Sequence, residues 1–206
     1  GPDNMGGRTR AIAFDPDVPG RMWAGTVSGG LYTSDNAGRD WRPVESYNGI
    51  AAIADMAIGA DGAIYVATGE GFTNLTGSGF DSGNWGDGVY KSTDKGETWI
   101  HLESTIENEE LALFSGRDWS AVNRIAPHPT DPNIVLAATN QGGIFYSTTG
   151  GEDSLGFEIA ARDGGGTMTG EGESVQWNAD GSVAYASLST NIYRSVGPAR
   201  TSPVAT

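Results

Sequence analysis

The motif Ser34-Asp35-Asn36-Ala37-Gly38-Arg39-Asp40-Trp41 returns downstream as Ser92-Thr93-Asp94-Lys95-Gly96-Glu97-Thr98-Trp99. Both copies follow Ser-x-Asp/Asn-x-Gly-x-Thr/Asp-Trp. Each comes after a short apolar run, Gly30-Leu31-Tyr32 and Gly88-Val89-Tyr90. A motif that recurs with its flanks marks a chain built of repeated units, each unable to bury its apolar face alone. Two weaker echoes follow, Ile144-Phe145-Tyr146-Ser147 and Ile192-Tyr193-Arg194-Ser195. The serines Ser34, Ser92, Ser147 and Ser195 stand 58, 55 and 48 residues apart.

Ahead of each serine lies a run rich in apolar and β-branched residues: Met22–Thr26, Ala63–Thr68, Ile134–Thr139 and Val183–Ser187. Further upstream comes a second run and then a turn, as in Ala11–Phe14 before Asp15-Pro16 and Met56–Ile58 before Gly59-Ala60-Asp61-Gly62. Arg124–Ala126 before Pro127 and Val175–Trp177 before Asn178-Ala179-Asp180-Gly181 continue the series. Short strands punctuated by Gly, Pro, Asn and Asp turns are an all-β signature. A fourth strand is expected at Trp41–Val44, Trp99–Leu102 and Phe157–Ile159. Four antiparallel strands per unit, repeated, predict an all-β propeller of four-stranded blades. Four units are visible, over about 8–45, 50–104, 121–160 and 173–197. A blade period is ~40–50 residues once loop insertions are set aside.

The repeated box has a physical logic. The side chain of Asn36 or Asp94 is expected to accept hydrogen bonds from backbone N–H groups two residues on, closing a tight turn. Gly38 and Gly96 can take positive φ without a Cβ clash. Trp41 and Trp99 then open the last strand, where they can pack between neighbouring sheets. The box residues Ser34, Asn36, Gly38, Trp41, Ser92, Asp94, Gly96 and Trp99 are therefore read as structural.

This motif resembles the Asp box, or BNR repeat, of β-propellers. That superfamily includes sialidases, sortilin-type receptors, xyloglucanase-type glycoside hydrolases, photosystem assembly factors and large secreted bacterial repeat proteins. The opening Gly1–Arg8, the segments Thr68-Gly69-Glu70 and Gly86–Ser92, and His128–Asn133 are most similar to the last group. The resemblance covers nearly the whole chain. It implies an extracellular or cell-surface bacterial protein. The third unit departs from the box, with Phe157 where a Trp would sit, and the fourth keeps only Ser195 and lacks a last strand. Propellers of six to eight blades are commoner than four, so the four units are expected to belong to a larger ring.

Composition narrows the function. A net charge of −14, with 12 Lys and Arg in no cluster, argues against nucleic-acid binding. The absence of cysteine excludes disulfides and thiolate sites, unlike the disulfide-bearing sortilin receptors. No run of ~20 apolar residues would span a membrane. Gly1-Pro2 is expected to mark a mature N-terminus or a tag remnant, and Asn74-Leu75-Thr76 matches a glycosylation sequon. Thr105–Leu113 is the best candidate for a short helix.

Catalytic signatures are thin. Sialidases need an arginine triad, whereas Arg8, Arg10, Arg124 and Arg194 come from different units. In the xyloglucanase-type enzymes the base lies in a run matched here by Ala24–Tyr32, and Val27 occupies its place, which has no proton chemistry. No catalytic residue and no cofactor is assigned. The long loop Gly69–Gly88 is the most function-like segment, because insertions between strands carry binding residues. Glu70 and Trp85 are the ligand-binding candidates there, with Phe72, Asn74, Phe80 and Asn84 nearby. Asp81 and Asp87 are candidate Ca²⁺ ligands, although their spacing fits no EF-hand. The competing reading is a glycine-rich loop whose aromatics pack on the next blade. His128 is expected to satisfy turn backbone, and His101 lies too far off in sequence to suggest a metal pair. The expected role is a non-catalytic binding or scaffolding module for a protein or surface glycan. Two alternatives stand beside it: a glycoside hydrolase with active residues outside the segment, and a structural subunit joined through open blade edges.

Overall fold

The structure, a computed structural model, describes residues 7–71, 84–106, 118–153, 156–162 and 165–195. The first sheet runs β1 (Thr9–Phe14), β2 (Met22–Thr26), β3 (Gly30–Ser34), β4 (Arg42–Pro43), in that spatial order. The second runs β5 (Ile53–Ile58), β6 (Ile64–Thr68), β7 (Val89–Ser92), β8 (Ile100–His101). The third runs β9 (Val122–Pro127), β10 (Val135–Thr139), β11 (Gly143–Ser147), β12 (Glu158–Ile159). The fourth has three strands among the described residues, β13 (Gly172–Trp177), β14 (Ala184–Leu188) and β15 (Asn191–Arg194). Every pairing is antiparallel between chain neighbours. The first strands of successive sheets lie side by side, β1 by β5, β5 by β9 and β9 by β13. Four twisted antiparallel sheets stacked about their innermost strands are four consecutive blades of a β-propeller.

Side-chain alternation decides which neighbour each blade faces. On the innermost strands, Met56 and Ile58 turn back toward the first blade, whereas Ala57 turns on toward the third. The same register sends Ile125 back and Ala126 onward. The core is thus three inter-blade layers rather than one centre. Trp23, Leu31, Met56, Ile64 and Val66 fill the first layer. Tyr65, Val89, Val122, Ile125 and Phe145 fill the second, and Leu136, Ile144, Val175 and Trp177 the third.

The ends of the series lack this cover. Ile12 and Phe14 hold the backward-facing register of Met56 and Ile58, yet are 54% and 64% exposed. Tyr185 and Ile192 hold the forward-facing register of Tyr65 and Val89, yet are 45% and 80% exposed.

The box turns carry a shared hydrogen-bond pattern. Ser92 Oγ accepts from Gly96 N at 2.8 Å and donates to Asp94 Oδ1 at 2.8 Å. Asp94 Oδ1 accepts from Thr98 N at 2.9 Å, and Thr98 Oγ1 donates to Asp94 Oδ2 at 2.6 Å. In the first blade Ser34 Oγ accepts from Gly38 N at 2.9 Å and Asn36 Oδ1 from Asp40 N at 3.0 Å. In the third, Ser147 Oγ accepts from Gly151 N at 2.8 Å. Ser195 instead accepts from Ala184 N at 2.8 Å. Gly96 sits at φ 90°, and Lys95 before it at φ 60°. The paired left-handed residues turn the chain within the box, where a Cβ at the glycine would be strained.

The structure refines these expectations. The carboxylate reaches four residues on, not two, because Gly96 N, two residues on, donates instead to the Ser92 hydroxyl. Trp41 and Trp99 are half-buried, and Trp99 packs at the edge of the first inter-blade layer. Trp99 lies on the box and on Tyr47, with ring centres 5.4 Å apart, whereas Trp23 in the same layer is 2% exposed, and Trp119 and Trp177 are buried in the later layers. The outer strands shorten to two residues, so the aromatic that opens each segment precedes the ladder. Phe157, standing where a Trp was expected, is buried. Of Thr105–Leu113, Thr105 ends a 3₁₀ turn, Glu103–Thr105; residues 107–113 lie outside the described residues.

Candidate functional site

Strand direction sorts the loops. The box turns and the β1–β2 type turns lie at one end of the blades. The β2–β3 type loops and the inter-blade connections lie at the other. Both long insertions, the one between β6 and β7 and the one between β8 and β9, fall on this second face. The segments 1–6, 72–83 and 107–117 lie outside the described residues, and with them Phe72, Asn74, Phe80, Asp81 and the sequon.

The described ends of the β6–β7 insertion are pinned. Gly69 N donates to Ala52 O at 2.8 Å, Glu70 N to Asn84 O at 2.9 Å, and Gly86 N to Ser120 O at 2.7 Å. Gly69 has φ 85°, and a Cβ there would stand 2.0 Å from Ser120 O. Only glycine therefore lets the insertion leave the blade this close to the next one.

This pinning places Glu70 near the innermost strands. Its carboxylate is buried and takes Arg8 and Arg10, the latter at 2.9 Å. Asp55, on β5, is also buried; its Oδ2 accepts from Ile125 N at 2.9 Å and its Oδ1 stands 3.5 Å from Arg124. Burial pushes the Asp55 carboxyl above its ordinary range, against the Ile125 N–H and Arg124, which favour its charged form. Asn123 Nδ2 donates to Gly172 O at 2.8 Å, tying the third blade to the fourth. The face thus carries alternating guanidinium and carboxylate groups contributed by the first three blades.

The remaining candidates divide. Trp85 is half-buried at the insertion's return. Asp87 is occupied by the blade: Thr68 Oγ1 approaches Oδ1 at 3.3 Å, Tyr90 donates to Oδ2 at 2.7 Å, and His101 Nε2 lies 2.6 Å from its carbonyl. His101 also stacks on Tyr90, 4.4 Å between centres. His128 Nδ1 accepts from Thr130 N and Asp131 N at 3.2 and 3.0 Å, so it does serve turn backbone. Among the described residues no three His, Asp or Glu side chains group as a metal site. Val27 is buried, with no carboxylate in its place. The sequence reading missed Arg8, Arg10, Asp55 and Arg124 as a group. The one available signal was a charged residue in an otherwise apolar inner strand, at Asp55 and Arg124.

Comparison with known proteins supports the fold. No family model and no curated protein matches the chain. Among solved structures, an ancestral GH74 enzyme superposes with TM-score 0.64 at 21% identity, over 94% of this chain and 25% of that one. An auxiliary nutrient binding protein from Bacteroides thetaiotaomicron gives 0.61 at 11% identity, over 97% and 41%. YCF48 from Cyanidioschyzon merolae gives 0.55 at 13% identity, over 96% and 56%. The chain spans about a quarter of the length of the GH74 enzyme. The likeness establishes a β-propeller. No helix among the described residues is long and apolar enough to cross a membrane.

Proposed function

We propose that the chain is a four-blade portion of a larger Asp-box propeller, a non-catalytic binding module of an extracellular or cell-surface protein. It engages a protein or a surface glycan through the face that carries the long insertions. The observation that carries this reading is the wiring of that face. Glu70 is clasped by Arg8 and Arg10, and Asp55 is held by Ile125 N–H and beside Arg124. Carboxylates committed to guanidinium partners present fixed polar groups to a ligand; they do not form a free acid and base flanking a scissile bond. Arg8, held in place by Glu70, and Trp85 then supply a charged and an aromatic contact at the rim. Binding on this fold has precedent in its likenesses, one called a nutrient binding protein and one solved with a bound peptide.

The exposed registers support the larger ring. Ile12 and Phe14 at one end, and Tyr185 and Ile192 at the other, sit where further blades would cover them. The test is a glycan array and a peptide library probed with the chain and with Trp85→Ala and Glu70→Gln. Binding lost in both variants, with no release of sugar from β-glucan oligosaccharides, is expected. Turnover of any such oligosaccharide that Glu70→Gln abolishes would overturn the non-catalytic reading in favour of a glycoside hydrolase.

A further inference from the structure

The repeat builds the same inter-blade groove twice on the box-turn face, and only one copy is filled. Between the second and third blades, Lys91 of β7 lies buried beside its cross-strand partner Tyr65. Its ammonium sits 5.2 Å from the centre of the Tyr65 ring. It donates to Glu152 Oε1 at 2.6 Å and to Gly150 O at 3.3 Å, both in the third box turn. Burial opposes the charge, but Glu152 and Tyr65 outweigh it, so the ammonium is held above the ordinary lysine range.

Register carries each of these positions into the groove between the first and second blades. Trp23 stands for Tyr65, and its cross-strand partner Thr33 stands for Lys91. In the box turns, counted from Ser92 and Ser147, the Lys95 carbonyl stands for Gly150 O and Glu97 for Glu152. The acceptors are retained and the side chain that fills them is cut back to a threonine. Above the buried Trp23 and Thr33 lies an open cleft of about 390 Å³ walled by Glu45, Lys95, Gly96 and Glu97, with Arg21, Asp35 and Arg42 along its first-blade side.

The cations at this cleft are already matched. Arg21 and Arg42 both bind Asp35, at 2.9 and 2.6 Å. Lys95 turns its ammonium away to Asp15 and Asp17, at 3.1 and 2.8 Å. Glu45 and Glu97 have no ion pair among the described residues. A net charge of −14 adds a long-range pull on cations. We propose that this cleft binds a primary alkylammonium group on the acceptors equivalent to those of Lys91 one blade on, the Glu97 carboxylate and the Lys95 carbonyl, above a floor made by the buried Trp23 and Thr33. The group can arrive as a lysine side chain of a partner protein or as a free aliphatic amine. The site lies on the face opposite the long insertions and is independent of the ligand proposed there.

The experiment is a ¹⁵N NMR titration at about 0.15 M salt, where exposed charges more than ~8 Å apart are largely screened. The probes are n-butylamine, 1,5-diaminopentane and Nα-acetyl-lysine methylamide, read at the Gly96 amide and the Trp23 indole. Saturable shifts with a Kd of order 1 mM are expected for so small a ligand. Nε-acetylation of the lysine probe removes them. Thr33→Lys, which supplies the missing side chain, abolishes them and raises the melting temperature. Glu97→Gln, at an exposed position, weakens binding at least about fivefold, one charged hydrogen bond in ~1 kcal/mol terms, without changing the fold. A lysine probe binding more tightly than butylamine marks a protein partner, and a tighter diamine marks a free amine. Absence of shifts up to tens of millimolar overturns the proposal. So do shifts that persist in Thr33→Lys, since they reflect only the acidic surface.

Discussion

Trp23 and Trp99 are the same residue type in consecutive blades, and the structure assigns them unequal weight. Trp23 is 2% exposed between the first and second blades, with no hydrogen bond from its indole among the described residues. Its loss is therefore a packing loss. A buried tryptophan removes ~150–250 Å² from water, and at ~25 cal/mol per Å² this is ~4–6 kcal/mol. Direct truncations of buried aromatics give ~3–5 kcal/mol. The groove beside Trp23 is open, so water enters the space left behind and the void contribution shrinks. Trp23→Ala is accordingly expected to cost ~3–4 kcal/mol. Trp99 is half-buried against Gly96 and Tyr47, and Trp99→Ala is expected to cost about half as much, ~1.5–2 kcal/mol. Urea unfolding followed by circular dichroism separates the two, because a change of midpoint at constant slope reports stability alone. For a chain of this length, each kcal/mol moves the melting temperature ~2–4 °C, so the variants, ~1.5–2 kcal/mol apart, should melt ~3–8 °C apart. A Trp99→Ala loss equal to or larger than that of Trp23→Ala refutes the inter-blade layers as the seat of stability.

Further expectations follow from single contacts. The Asp94 carboxyl, held near 2 by Thr98 and Ser92, should titrate about two units below an ordinary aspartate in a carboxyl ¹³C NMR series. A depressed native pKa stabilises above the unfolded value of ~3.9 and is lost as pH falls through about 2, so the second box should loosen only below pH 4; a midpoint near 4 contradicts the turn geometry. Asp94→Asn should keep the turn and abolish that pH dependence, since Asn36 already closes the first box. Val89→Ala should cost ~1–2.5 kcal/mol, whereas Ile192→Ala at the same register of the exposed fourth blade should stay within ~0.5 kcal/mol; equal losses by thermal melting refute the open end face. Tyr65→Phe should cost ~0.5–1.5 kcal/mol, read as a shift in midpoint, because its hydroxyl donates to Gly150 O at 3.3 Å.

Much of the architecture was legible in the chain. Ser34, Ser92 and Ser147 mark three corners of one repeated turn, and the alternation before each marks two strands. These features are local, since a turn is closed by atoms within five residues and alternation needs only the pleat. The clasp of Glu70 by Arg8 and Arg10 was not legible. Its members are 60 and 62 residues apart, and no local pattern says which side of the ring they share. The difference between Trp23 and Trp99 was equally hidden, because both follow plausible strand signals and only their depth of burial in the shared layer distinguishes them.

By itself the sequence determined the repeat, its four units, the strand order within each and the chemistry of the box, because all of these are set by neighbours along the chain. The tertiary structure alone decided which blade face looks forward, which carboxylates meet arginines, and which of two equivalent grooves is filled. Those outcomes depend on contacts between units: lysine at 91 bridges one seam to Glu152, and threonine at the equivalent position 33 makes no such bridge across the other.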